Sequence, residues 1–218
     1  MKVAILGAGN VGTALASSLT RAGHQVVIAA LDPAHAADAA TATGARPAAS
    51  NSAAVDGADV VIAAVPAAAL PSIAEELSAD LGTTPVVDAT NRMAFGADGP
   101  TMDTSISNAE ELAALLPETP VIKAFNTLFA ANQADPTTDG VQLDGYVAGD
   151  DPSAKRVVLE LVESIGLRPV DVGPLTRARQ LESLAFLNIA LNATNGGSWQ
   201  SGWKLVGAPD TSAVREAA

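Results

Sequence analysis

Three glycines, Gly7, Gly9 and Gly12, stand at G-x-G-x-x-G spacing in the run ILGAGNVGTAL, directly after the apolar stretch KVAIL. In that context each answers a separate demand. Gly7 permits a tight strand-to-helix turn, Gly9 lets the main chain approach a pyrophosphate, and Gly12 lets helix and strand pack closely. The amide N–H groups around Ala8, Gly9, Asn10 and Val11 would then lie at the positive end of a helix dipole and hold a diphosphate without a cationic side chain. The local sequence agrees, because no Lys or Arg follows until Arg21. Asn10 is expected to cap this helix and to touch the ligand.

A second candidate closes the stretch VVIAALDPAH, where Asp32 lies twenty residues beyond Gly12. The end of the second strand in such a fold reaches the adenosine ribose, where an acid bonds the 2′-hydroxyl or an arginine accepts a 2′-phosphate. Asp-Pro is also a helix start, with Asp32 as N-cap and Pro33 in the first turn, and Asp151-Pro152 repeats the device. The two roles are compatible.

Other candidates follow strand ends, the place where open α/β sheets bind ligands. Val65 and Pro66 leave the strand DVVIAAV beside the expected cofactor. Asn91 of DATNRM, and Ala124 and Asn126 of KAFNT, follow two later strands, where an amide could hold a carboxamide or a second substrate, although Asn in a turn is also common for local reasons. Lys123 could attract an anion or donate a proton; its ordinary alternative is a salt bridge at the strand end. Trp199 and Trp203, the only tryptophans, either wall a cleft against a flat ring or anchor the last segment. Tyr146 has no lysine four residues on, which removes a Tyr-x-x-x-Lys proton relay, and His24 reads as structural. No catalytic side chain is assigned.

The elements that must position these residues alternate short β-branched runs with alanine-rich helices, the pattern of a parallel sheet covered on both faces. Strands are expected at KVAIL, QVVIAA, DVVIAAV, PVVDA, PVIKAF, GYVAG and RPVDV. Val11, Leu15 and Leu19 give the first helix its apolar face, Ser107 with Glu110 has capping-box spacing, and Asp151-Pro152 starts another helix. From about Leu175 to Asn192 apolar residues occupy several faces of one helix, which must be covered either within its own chain or by a second subunit. The fold class is α/β: a Rossmann-type, doubly wound, mainly parallel sheet with a small helical C-terminal part. The expected division is 1–174 for an NAD(P)-binding domain and 175–218 for a helical C-terminal segment. NQADPTTDG reads as a polar loop, and the tail from about Ala208 as disordered.

Composition excludes several classes. A formal charge of −12 argues against a nucleic-acid partner, which needs a concentrated Lys/Arg surface. With no cysteine and two histidines, disulfides and thiolate metal sites are excluded, and no metal site is expected. No stretch approaches the roughly 18 consecutive apolar residues of a membrane helix. MKVAIL passes into the glycine turn without the cleavage site of a secretory signal, so a cytoplasmic location is expected.

Taken together, GAGNVG, AVP (Ala64, Val65, Pro66), KAFNT (Lys123 to Thr127), GDD (Gly149 to Asp151), GPL (Gly173 to Leu175), the following Ala178-Arg179 and Leu181-Glu182, and a late GWKL (Gly202 to Leu205) resemble the F420-dependent NADP oxidoreductases and related dinucleotide-binding proteins. The resemblance implies direct hydride exchange between NADP(H) and the deazaflavin coenzyme F420 in a cleft completed by the C-terminal part. It also implies a basic pair, commonly Ser-Arg, at the end of the second strand, where Ala30 and Leu31 stand here. The usual 2′-phosphate clamp is therefore missing; His35 could replace part of it if protonated, and NAD is an alternative. Arg92, Arg177 and Arg179 are the cations expected to attract the phosphate and polyglutamate of F420. Two other functions fit the same residues: reduction of an imine, flavin or keto compound with Lys123 as proton donor, or a dinucleotide sensor without turnover. A homodimer through the C-terminal helix is the expected assembly.

Overall fold

The computed structural model describes residues 1–96 and 99–207. One sheet holds eight strands: β1 (Lys2–Leu6), β2 (Gln25–Ala29), β3 (Arg46–Pro47), β4 (Val60–Ala63), β5 (Val86–Asp88), β6 (Val121–Lys123), β7 (Asp144–Gly149) and β8 (Arg168–Gly173). Their order in space is β8-β7-β6-β5-β4-β1-β2-β3. Every neighbouring pair from β3 to β6 is parallel. The strand order therefore reverses at β1 and β4, the switch point outside which such sheets bind ligands. Helices among the described residues are α1 (Asn10–Arg21), α2 (Pro33–Thr43), α3 (Asn51–Val55), α4 (Leu70–Leu81), α5 (Asn108–Leu115), α6 (Ala130–Ala134), α7 (Pro152–Ser164) and α8 (Ala178–Asn195).

Strand alternation distributes the core over both faces. Val3 and Ile5 pack with Leu15 and Leu19 of α1 and Val158, Leu161 and Val162 of α7, whereas Ala4 and Leu6 pack with Leu70 and Leu77 of α4 and Leu112 of α5. Burial on two faces is why these strands read as continuous apolar runs. Each fully buried leucine or isoleucine contributes roughly 1.5–3 kcal/mol. The expected caps form: Asp32 accepts from the Ala34 N–H at 2.9 Å, Asp151 from Ala154 at 2.7 Å, and Ser107 with Glu110 closes a capping box.

Two features depart from the sequence pattern. NQADPTTDG is a polar loop by composition, yet it holds the end of α6 and the strand Thr137–Thr138, which pairs antiparallel with Val141–Gln142 just beyond it. Asp139 (φ 51°) and Gly140 (φ 76°) make the left-handed two-residue turn that a tight hairpin favours. Strand β7 runs antiparallel to β6, and β8 is parallel to β7. This reversal brings the chain out of β8 beside α5, from which α8 climbs past the carboxyl ends of the sheet. The expected tail from about Ala208 lies outside the described residues.

One face of α8 is buried through Ala178, Leu181, Glu182, Ala185, Asn188 and Asn192. Its base is clipped to α5: Arg179 donates to Glu110 through Nε at 2.8 Å and Nη2 at 2.7 Å. After Gly196 ends the helix, the chain returns to Asp144, which accepts from Arg168, Lys204 and the Leu205 N–H. The Arg179 bond, against the opposing effect of burial and with the Ser107 cap, draws the Glu110 carboxyl down to about 2 from a usual 4.5. A depressed carboxylate pKa stabilises the fold above the unfolded-state value, and that contribution is lost as pH falls toward the folded-state one. Glu110→Gln keeps a capping side chain at the same helix position. It should lower Tm at pH 6, and the gap to wild type should narrow steadily between pH 4.5 and pH 3; thermal melts across that range check it.

Candidate functional site

The turn from β1 into α1 separates two kinds of glycine. At Gly7 (φ 110°) an added Cβ would lie 2.2 Å from the Ala64 carbonyl oxygen, and at Gly12 it would lie 1.9 Å from the Gly7 oxygen. Packing of the turn on β4 and α1 accounts for both. Gly9 has an extended backbone open to any residue, and a Cβ there would meet no protein atom within 4 Å. Nothing among the described residues requires a glycine at that position.

The start of α1 agrees. Gly9 occupies the N-cap position and no side chain caps the helix, as at α4, α6 and α8, whereas α2, α3, α5 and α7 each carry a side-chain cap. The first amide N–H groups of α1 thus face outward without an intrahelical acceptor. Asn10, expected to be the cap, is instead the first helical residue, because the extended conformation a cap requires belongs to Gly9. Its exposed side chain lines a cavity with Val11.

That cavity, about 470 Å³, lies between the start of α1, the loops after β5 and β6, and α8. It brings together Asn10, Val11, Asn91 and Asn126 of the sequence candidates. The two asparagines are bonded: Asn126 donates through Nδ2 to Asn91 Oδ1 at 2.8 Å, and Asn91 donates through Nδ2 to the Asn126 carbonyl at 3.2 Å. Among the described residues the Asn126 Oδ1, buried beside the cavity, has no hydrogen-bond partner. The turn that presents Asn126 passes through Phe125 at φ 64°, an uncommon conformation for a bulky residue. Buried Gln133 holds it by donating to the Phe125 and Leu128 carbonyls at 3.1 and 3.3 Å.

Several candidates lie elsewhere. Ala124 is fully buried in the core at the end of β6 and does not line the cavity. Val65 is half-buried against Gly7, and Pro66 is exposed. Leu31 is fully exposed at the end of β2, Asp32 caps α2, and His35 is exposed in its first turn. Lys123 does not reach the cavity: its ammonium is completely buried and donates to Asp88 at 2.8 Å, Glu182 at 2.6 Å and the Thr90 carbonyl at 2.6 Å. The salt bridge is its role, and a proton donor to a bound substrate is excluded by that burial. Burial pushes the Glu182 carboxyl up, and Lys123 opposes it. Tyr146 is likewise withdrawn; burial and then the neighbouring Asp144 push its phenol to about 12. His24 bonds Ser164 at 2.9 Å, as a structural residue would.

The tryptophans divide between the two roles proposed for them. Trp199 lines the cavity, 46% exposed and edge-on to Phe129 with ring centroids 5.3 Å apart, whereas Trp203 donates to the Leu184 carbonyl and packs on Tyr146 and Leu181. Among the described residues no charged side chain lines the cavity. Arg92 is paired with Glu111 at 2.7 Å and Asp103 at 3.7 Å, Arg179 with Glu110, and Arg177 is exposed just before α8. Among the described residues no group of three potential metal ligands exists, and no helix is long and apolar enough to cross a membrane.

Sequence reasoning missed Phe129 and the cleft-facing Ala185, Asn188 and Ile189 of α8, and gave Glu182 no role. The signal for Glu182 was available: an acid one turn from Ala178 and Ala185 on a helix face read as buried is costly unless paired.

Residues 2–92 match the family model for NADP oxidoreductase, coenzyme F420-dependent. The chain is similar to the crystal structure of a hypothetical protein from Sinorhizobium meliloti, at 36% identity over 80% of this chain and 86% of that one, with a TM-score of 0.72. It is also similar to a candidate F420-dependent NADP-reductase from Arthrobacter sp. FB24, at 28% identity over 94% and 99% of the two chains, TM-score 0.84. A reductive aminase from Aspergillus terreus in complex with NADPH shares the fold at 19% identity, covering 89% and 63% of the two chains, TM-score 0.66. The matched segment carries the glycine turn, and the chain belongs to the family of coenzyme F420-dependent NADP oxidoreductases and their dinucleotide-binding relatives.

Proposed function

We propose that this chain transfers hydride between NADP(H) and a flat second substrate, coenzyme F420 or a ring system like it, bound in the same cleft. The observation that carries the reading is the open space at Gly9 in front of an uncapped helix, a cradle shaped for a diphosphate. When bound, the nicotinamide supplies or takes up the hydride, and transfer between two rings depends on proximity, facing and exclusion of water more than on a protein acid or base. Main-chain amides of α1 hold the diphosphate, Val11 and the Asn91–Asn126 pair orient the reacting end, and Trp199 with Phe129 offers an aromatic wall to the second ring. An imine or keto reductase that relied on Lys123 lacks its proton donor. The segment from Leu175 completes the cleft in this reading, a cytoplasmic location goes with it, and a second copy covers the outer face of α8, where Leu187 and Leu191 are each about half exposed.

Bare Leu31 favours weaker discrimination against NAD(H) than an arginine at the ribose would give. Replacing Ala30-Leu31 by Ser-Arg should therefore raise NADPH affinity more than NADH affinity; calorimetric titration of both tests it, and an unchanged ratio means this loop does not read the ribose.

The dinucleotide cradle has a paired test. Gly9→Ala should leave the melting temperature of the ligand-free protein nearly unchanged and weaken NADPH binding about tenfold or more, at least about 1.4 kcal/mol. Gly12→Ala should destabilise the fold itself. Equal NADPH affinity in wild type and Gly9→Ala refutes the cradle. Rapid mixing of wild type with NADPH and oxidised F420, followed by absorbance, then separates transfer from binding alone.

A further inference from the structure

Three completely buried ionisable side chains meet beneath the cleft: Asp88 at the end of β5, Lys123 at the end of β6, and Glu182 on α8. We propose that they are positioning residues: they touch neither bound ring, and they fix both the Asn91–Asn126 amide pair and the register of α8 against the sheet. The kinetic consequence rests on the hydride-transfer reading; the geometric one does not.

The bonds converge on one short segment. Lys123 donates to Asp88, Glu182 and the Thr90 carbonyl, so all three of its protons are used. Asp88 accepts the Thr90 N–H at 2.8 Å, and Glu182 accepts the N–H groups of Arg92 at 3.1 Å and Asn108 at 2.9 Å. Asn108 in turn donates through Nδ2 to Thr90 Oγ1 at 2.8 Å. Asn91 is thus held between two residues whose main-chain groups are tied to buried charge. Its partner Asn126 lies three residues beyond Lys123, on the turn leaving the same strand. On α8, Ala185 and Ile189 follow Glu182 at i+3 and i+7, so the face that carries the carboxylate also carries the cleft wall.

Stability alone does not account for the cluster, since replacing buried ion pairs by apolar residues of similar volume is often neutral or stabilising. On the same helix face Ala178, Leu181 and Ala185 make apolar contacts that tolerate sliding, and Asn188 and Asn192 bond to each other and to Trp199 and Ser201 of the segment that follows the helix. Charge-assisted bonds fix distance and direction, which is what the amide pair and the helix wall need.

The test uses the full chain with Glu182→Gln and the milder Thr90→Val, which removes one anchor without touching a charge. In the ligand-free protein, side-chain amide resonances of Asn91 and Asn126 should shift or broaden in both variants. NADPH affinity should stay within about threefold of wild type, because the α1 cradle is untouched. The single-turnover rate with NADPH and oxidised F420, per folded molecule, should fall about 10- to 100-fold in Glu182→Gln and about threefold in Thr90→Val. If Glu182→Gln does not fold, Thr90→Val decides by the same readouts. Unmoved amide resonances, an unchanged rate, or a rate loss matched by an equal loss of NADPH affinity overturns the proposal. Amide resonances that move in a protein whose wild type transfers no hydride uphold the positioning role and remove the hydride-transfer reading instead.

Discussion

A lysine ammonium without access to water must find three acceptors, and in this fold they come from two distant parts of the chain, Asp88 at the end of β5 with Thr90 just beyond it, and Glu182 on α8. Lys123 joins the ends of two neighbouring strands to a helix fifty-nine residues further on. Removing one partner of such a pair typically costs 3–5 kcal/mol because a charge is left buried and unpaired. The cluster is therefore hard to alter piecemeal, and the cleft above it inherits that rigidity. The strained turn at Phe125, braced by Gln133, extends the same frame from β6 to α6.

A protein of formal charge −12 that binds anions needs a way to do so without cations. The fold supplies one through the dipole and free amides of α1, whose short range confines the attraction to the first turn. Side-chain cations near the cleft are neutralised by their neighbours, Arg92 by Glu111 and Arg179 by Glu110. In the proposed function diphosphate recognition is thus left to the backbone, and the cavity beyond it is walled by amides, small apolar groups and two aromatic rings. Such a lining suits ring chemistry that borrows no proton from the protein.

Much of the frame was legible in residue order. Alternating apolar strands, the spacing of Gly7, Gly9 and Gly12, and the caps at Asp32, Ser107 and Asp151 are local signals, and each has the expected structure because its physics involves neighbours in sequence. Asn10 was misassigned by one position, since an N-cap is defined by backbone conformation and not by side-chain type. Ala124 was grouped with its motif, although the pleat turns it into the core while the turn after it delivers Asn126. The two roles open to Lys123 could not be separated until Asp88 and Glu182 had been brought to it.

The sequence by itself determined the glycine turn that runs into α1, because that turn is a local event completed within a dozen residues. It determined that the sheet is covered on both faces, because burial is recorded in strand composition. Only the tertiary structure decided that β7 reverses, that α8 rises along the open end of the sheet, and that Asn91, Asn126, Phe129 and Trp199 share one cavity. Those outcomes depend on contacts between residues tens of positions apart, and pairing over such distances is selected by the packing of the whole chain, which no local pattern encodes.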